Sequence, residues 1–233
     1  MRALLPVLLA LTPAFGGEVF RYKAEWRLMH AGDIVLNYTD AGAHMTLQTV
    51  GMVASLYRVN DDYRVQFRGG SRCSESILFK IEEGKRRNEA RATFPAKPGK
   101  SSYVEVDQLK NETVRTTELD VPGCVHDVIS ALAQLRSNEH ARAPEFTMPV
   151  SDGRKFAQVK VRERGKERVK TDAGVFNTVK YEADLMNGVI YRRAGKMFFW
   201  LSDDARRVPV RVRMQMSFFF GTVTIDLVKE ERS

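Results

Sequence analysis

Phe20-Arg21-Tyr22-Lys23-Ala24-Glu25-Trp26-Arg27 decides the fold class. Phe20, Tyr22, Ala24 and Trp26 fall on one side of an extended chain, and Arg21, Lys23, Glu25 and Arg27 on the other. This two-residue period belongs to a half-buried β-strand. After the Ala31-Gly32-Asp33 turn, Ile34, Leu36 and Tyr38 repeat the alternation, so the two segments predict a hairpin. Outward from it, alternating runs at 45–50, 53–59, 63–67, 77–81, 87–94 and 103–106 are separated by turn signals, including the Pro/Gly-rich loop 94–101.

One segment departs from that period. Val125, Val128, Ile129, Leu132 and Leu135 recur at helical spacing after Pro122-Gly123 and predict a helix over about 124–138. Strand patterns resume at 146–150, before Ser151-Asp152-Gly153, and at 156–163, up to an expected turn at Gly165. Two more flank the Ala173-Gly174 turn, and four follow at 189–193, 196–201, 208–216 and 222–228. A dozen or more antiparallel strands with one apolar face do not stay flat and open. The expected architecture is therefore mainly β, a strongly curved half-barrel or closed barrel with the helix packed on its concave apolar side. Such a shape leaves an apolar concavity that is filled either by side chains or by a ligand.

The first residues speak to location. Met1-Arg2 gives a positive start, 3–14 is almost wholly apolar, and Ala14-Phe15-Gly16 carries small residues where a signal peptidase reads, so cleavage is expected after Gly16. The apolar run is shorter than the roughly 20 residues a membrane helix needs. Residues 1–16 then form a signal peptide and 17–233 one β-rich domain with no transmembrane segment, exported to the periplasm of a Gram-negative-type bacterium. The formal net charge of +8 falls by one with Arg2. In an exported protein, that basicity reads first as a solvated basic surface and second as a match for anionic envelope components; nucleic acid would call for an aromatic-flanked basic cluster, and none is present. Cys73 and Cys124 are the two cysteines. In an oxidising compartment they could close a loop of about fifty residues, worth roughly 3 to 4 kcal/mol, or remain two buried thiols.

Catalytic and metal motifs are weak. His126-Asp127 is a His-acid pair, and Asp127 at the start of the helix suits capping better than catalysis. His30, His44, His126 and His140 lack the spacing of metal ligands. Asp203-Asp204 reads as a turn closed by Arg206 or Arg207, and Gly32 and Gly69-Gly70 lack a phosphate-loop context. No catalytic residue, metal or cofactor is assigned.

The C-terminal third is rich in adaptable apolar side chains: Met197, Phe198, Phe199, Trp200, Met214, Met216, Phe218, Phe219 and Phe220. Trp26, Met197, Phe199, Trp200, Val210, Met214 and Met216 are the candidates to line a lipid-binding concavity. Arg207, Arg211 and Arg213, on the opposite phase of the same strand, are the candidates for a basic face.

Tyr22-Lys23-Ala24-Glu25-Trp26 with Ala31-Gly32 and the run from Lys170 to Glu182 carry a family resemblance. Arg193-Ala194-Gly195-Lys196, Trp200-Leu201-Ser202-Asp203-Asp204 and Arg207-Val208-Pro209-Val210 continue it. The chain resembles, over essentially its whole length after the signal, the exported bacterial family catalogued as domain of unknown function 3108. The resemblance implies a periplasmic β-rich protein and supplies no catalytic residues. By architecture, such a sheet around a helix is also similar to periplasmic lipoprotein carriers. The leading expectation is a non-enzymatic protein binding or carrying an amphipathic or lipid-like ligand. The alternative is an envelope scaffold that contacts polysaccharide, anionic lipid or protein through its basic face.

Overall fold

The structure is a computed structural model, and it describes residues 17–137, 143–184, 195–215 and 221–232. The described strands are β1 (Glu18–Trp26), β2 (Met29–Thr39), β3 (Gly42–Thr49), β4 (Asn60–Phe67), β5 (Ser74–Glu83), β6 (Arg86–Thr93) and β7 (Gly99–Asp107), followed by β8 (Glu112–Val121), β9 (Glu145–Ser151), β10 (Phe156–Thr171), β11 (Gly174–Asp184), β12 (Lys196–Ser202), β13 (Pro209–Gln215) and β14 (Thr222–Arg232). Two helices interrupt them, α1 (Gly51–Leu56) and α2 (Val128–Arg136).

All strands join one 14-stranded antiparallel sheet, in the order β8-β7-β6-β5-β4-β3-β2-β1-β14-β13-β12-β11-β10-β9. Consecutive strands pair except β8 and β9, and the β1–β14 ladder joins the N-terminal half to the C-terminal half. The mainly antiparallel β expectation holds. Closure and strong curling do not: among the described residues, β8 and β9 end the order unpaired with each other, so the sheet is open rather than a barrel or half-barrel.

The residues of the opening strand behave as their alternation requires, with Phe20, Tyr22 and Ala24 buried. The same phase buries Ile34, Leu36 and Tyr38 on β2 and Val65 and Phe67 on β4. Ile129, Leu132, Ala133 and Leu135 of α2 pack against this face and join the same core. The Tyr38 hydroxyl donates to the Ile129 carbonyl at 3.1 Å, tying the helix to β2.

Four local expectations are corrected. The helix is shorter than 124–138, because Val125 and His126 are held extended between two strands. Ser74 N–H donates to Val125 O, His126 N–H to Pro149 O, and Ser151 N–H to His126 O. The helix then starts at the Asp127 cap, whose Oδ1 accepts from the Ile129 and Ser130 N–H groups. Residues 53–59 do not form a strand: the segment holds α1, which has no buried residue and connects β3 to β4. Gly165 does not end a strand either. Its φ of +98° sits where the β10–β11 register shifts, and β10 runs through it as a bulge. Finally, β8 went unforeseen, because it is an edge strand with polar residues on both faces.

Among the described residues no helix is long and apolar enough to cross a membrane. The expected signal peptide, 1–16, lies outside the described residues, as do Met216, Phe218 to Phe220, His140 and the Arg193-Ala194 pair.

Candidate functional site

Between α2 and the sheet lies a cavity of about 410 Å³. It is lined from β1 through β7 on one side and from β12 through β14 on the other, with Val128, Ile129 and Leu132 of α2 across the space. The alternation within each strand sets which side chains reach it: Ile34 and Leu36 from β2, Ile77, Phe79 and Ile81 from β5, Met197 and Phe199 from β12, Val212 and Met214 from β13. Tyr22 and Tyr63 contribute ring surface while their hydroxyls are engaged elsewhere. Tyr22 donates to Pro209 O at 3.0 Å, and Tyr63, its ring 5.2 Å from Phe79 in an edge arrangement, bonds to Asp127. Burial, then the negative charge of Asp127, pushes the Tyr63 hydroxyl well above its ordinary pKa, so it stays protonated as a donor.

One end of the cavity is charged. Glu83, Arg86, Tyr103, Asp152 and Arg154 line it. Behind them sits Glu105, 3% exposed, which accepts from Arg86 at 2.5 Å, Asn88 at 2.5 Å and the Tyr103 hydroxyl at 2.8 Å. Burial pushes its carboxyl upward, but these three donors outweigh burial and hold it below the usual carboxylate range. Arg86 also reaches Glu83 at 3.2 Å, and Arg154 grips Asp152 through Nε and a terminal nitrogen at 2.8 and 2.6 Å.

This end is assembled across the molecule. The β9–β10 turn brings Asp152 and Arg154 onto β6 and β7 through Gly153, where φ is +85° and an added Cβ would lie 2.7 Å from the Ala92 Cβ and 2.8 Å from the Tyr103 ring. Only glycine fits that approach.

The sequence-expected lining is split. Met197, Phe199 and Met214 do line the cavity. Val210 shares their strand phase but is fully buried in the core. Trp26, at the end of β1, is partly buried beneath Arg27, whose guanidinium lies 4.9 Å from its ring, and is absent from the cavity wall. Trp200 is on the other phase of β12 from Met197 and Phe199, so it faces the opposite side of the sheet. There it is 3% exposed, bonded through its indole N–H to Glu167, and flanked by Lys180 and Arg213 at 4.9 and 5.4 Å.

The expected basic face is corrected as well. The tip of the long β10–β11 hairpin lies over that side: Lys23 pairs with Asp172 at 3.2 Å, Ala173 N–H donates to Leu227 O, and Arg211 donates to Lys170 O at 3.3 Å. Arg211 is neutralised by a two-pronged pair with Asp226, and Arg213 stacks on Trp200. Arg207 is not on the strand at all. It precedes β13 with φ +47° and is buried beneath α2, donating to Leu135 O and to the Tyr181 hydroxyl. These arginines are structural cations, each holding a named neighbour.

Cys73 and Cys124 form a disulfide, tying the residue that precedes the α2 cap segment to the β4–β5 connection. His126 Nε2 lies 3.8 Å from the Cys124 sulfur, with Nδ1 3.0 Å from Arg72 O. These three residues form the one candidate metal-binding group among the described residues, and the disulfide already engages both sulfurs. Asp127 acts as the expected cap and is further bonded by Ser74. Asp204 closes its turn by accepting from Arg206 N–H and Arg207 N–H.

The charged end escaped the sequence reading. Arg86, Tyr103, Glu105, Asp152 and Arg154 come from three separate stretches of chain. The available signal was Glu105 in the inward phase of β7, between Tyr103 and Asp107, where an apolar residue was due.

An open antiparallel sheet with one helix against its apolar face and a cavity beneath that helix defines a mainly β architecture. Residues 21–228 match the family described as Protein of unknown function (DUF3108), and the chain belongs to that family. No curated protein matches the chain. Among solved structures, it is similar to a beta-barrel-like protein of domain of unknown function DUF1849 from Brucella abortus, with 10% identity, 94% of this chain and 98% of that chain covered, and a TM-score of 0.62. That similarity supports the fold. A putative exported protein with a YmcC-like fold from Bacteroides fragilis aligns at 10% identity over 93% and 95% of the two chains with a TM-score of 0.32. The lipoprotein LppX of Mycobacterium tuberculosis aligns at 9% identity over 91% and 84% with a TM-score of 0.27. Scores this low add nothing to the fold assignment.

Proposed function

We propose that this chain is an exported, non-enzymatic binding protein of the periplasm, in which the open sheet and α2 hold an amphipathic, lipid-like ligand between them. The observation that carries this reading is the cavity of about 410 Å³ with apolar walls and a charged end. Small-molecule sites are of this kind, about 300 to 1,000 Å³, largely apolar, with a few convergent polar groups. The cavity's wall of alkyl, thioether and aromatic side chains offers an alkyl chain dispersion contacts along its length. Export, with cleavage after Gly16 and residues 17–233 as the mature domain, fits the Cys73–Cys124 disulfide, since such bonds persist in oxidising compartments.

The test is to express the protein with its own leader in a Gram-negative host and purify it from the periplasm without detergent. Native and denaturing mass spectrometry then read what it carries. A stoichiometric acyl-bearing small molecule is expected. A clean apo mass, together with failure to take up any single-chain amphiphile added afterwards, overturns the reading.

A further inference from the structure

Resting on that reading, we infer that the ligand is a single-chain amphiphile whose head group donates hydrogen bonds and carries no net negative charge. Its size follows from the cavity. About 410 Å³ is near the low end of the about 300 to 1,000 Å³ range of ligand sites, which suits one alkyl chain better than two.

The head-group class follows from the charge inventory at the polar end. Two arginines, Arg86 and Arg154, face the cavity there, and both are already engaged. Arg86 is held between Glu83 and Glu105, and Arg154 spends two N–H groups on Asp152. Against these two cations stand Glu83 and Asp152 on the wall and the buried Glu105 behind it, with Asp61 of β4, 6% exposed, accepting from the Glu82 N–H beside Glu83. Carboxylates therefore outnumber guanidinium groups.

An incoming carboxylate or phosphate would meet a surplus of negative charge, and would have to draw Arg86 or Arg154 away from an existing partner. Leaving Glu105 buried without Arg86 is costly in itself. A hydroxyl or ammonium head instead offers donors to carboxylate oxygens and disrupts no existing pair. The walls make the chain end indifferent to charge, so discrimination is confined to this one end of the site.

The experiment compares three probes of equal chain length that differ only at the head: tetradecylammonium, monomyristoylglycerol and myristate. Binding is measured by calorimetry on the delipidated, disulfide-intact protein below the critical micelle concentration of each probe. The ammonium and glycerol probes are expected to bind at least roughly tenfold more tightly than myristate at low salt, with the gap narrowing as salt rises. Glu83→Gln, at the partly exposed rim, should shrink the preference by roughly threefold to tenfold without loss of fold. Glu105→Gln should do the same if it folds. Myristate binding as tightly as the other two overturns the inference and leaves the binding function standing. Binding of none of the three overturns both.

Discussion

The two faces of β12 and β13 both carry large aromatic or apolar side chains and do opposite things. On one face, Met197, Phe199, Val212 and Met214 look into the cavity. On the other, Phe198, Trp200, Arg211 and Arg213 are consumed by Glu167, Asp226 and one another, with the tip of the β10–β11 hairpin reaching Arg211. The difference is one of coverage. A hairpin long enough to fold over the sheet fills the space on its side, whereas the nine-residue α2 leaves a gap on the other. Aromatic and methionine content therefore does not locate a ligand site until the strand phase and the covering element are known.

The largest effect that sharpens this comparison is Trp200→Ala. Removing a buried indole, and leaving Glu167 without its donor and Arg213 without its ring, should cost about 3 to 5 kcal/mol in urea denaturation. Amphiphile uptake per folded molecule should be unchanged. Met214→Ala should show the reverse pattern. Its side chain lines the cavity and is not part of the close-packed core, so about 1 kcal/mol is lost, while uptake weakens measurably. A Trp200→Ala protein of native stability that no longer takes up ligand would break the distinction between the faces.

How much of this was legible beforehand depended on whether the information was local. The alternation at Phe20–Trp26 and Ile34–Tyr38, the helical stripe around Ile129 and the Asp127 cap are properties of a few consecutive residues, and they appear as expected. The edge strand β8 was invisible because only its end, at Leu119 and Val121, packs on the core, so no apolar phase marks its length. Gly165 was read as a turn because a glycine within a bulge and one within a hairpin look alike in sequence. For the site, the phase of β12 was readable and should have separated Phe199 from Trp200. The meeting of Glu105 and Arg86 with the β9–β10 turn depends on a long-range approach at Gly153, and no spacing encodes it.

The second prediction concerns the elements that cover the two faces. Cys73 and Cys124 are 51 residues apart, and their bond anchors the chain just ahead of α2, while nothing covalent secures the hairpin over Trp200. Replacing both cysteines with alanine should lower stability by about 2 to 4 kcal/mol. In native-state hydrogen exchange, the amides of α2 should lose protection first, while those around Trp200 retain theirs. Equal loss on both faces would mean that helix, sheet and hairpin open as one unit, and the independence of the two sides would fall.

The smallest effect comes from Asp61 and separates the faces by pH. Asp61 lies on the cavity face of β4, in phase with Tyr63 and Val65, where its Oδ1 accepts the Glu82 N–H at 2.9 Å. Burial pushes its carboxyl up to about 6, with the Glu82 N–H opposing and the charge of Glu83 adding to the rise. A carboxyl raised above its unfolded value of about 3.9 binds its proton more tightly in the folded state. Its contribution to stability therefore falls as pH rises from about 4 to about 6 and is constant above that window. Asparagine retains the oxygen acceptor and removes the charge. Asp61→Asn should thus stabilise the protein by about 1 kcal/mol at pH 8, a figure already reduced for solvent screening, with the gain shrinking to nothing by about pH 4. Urea midpoints across that range measure it. A gain independent of pH would point to packing rather than charge, and would remove Asp61 from the surplus of carboxylates that distinguishes the cavity face from the neutralised one.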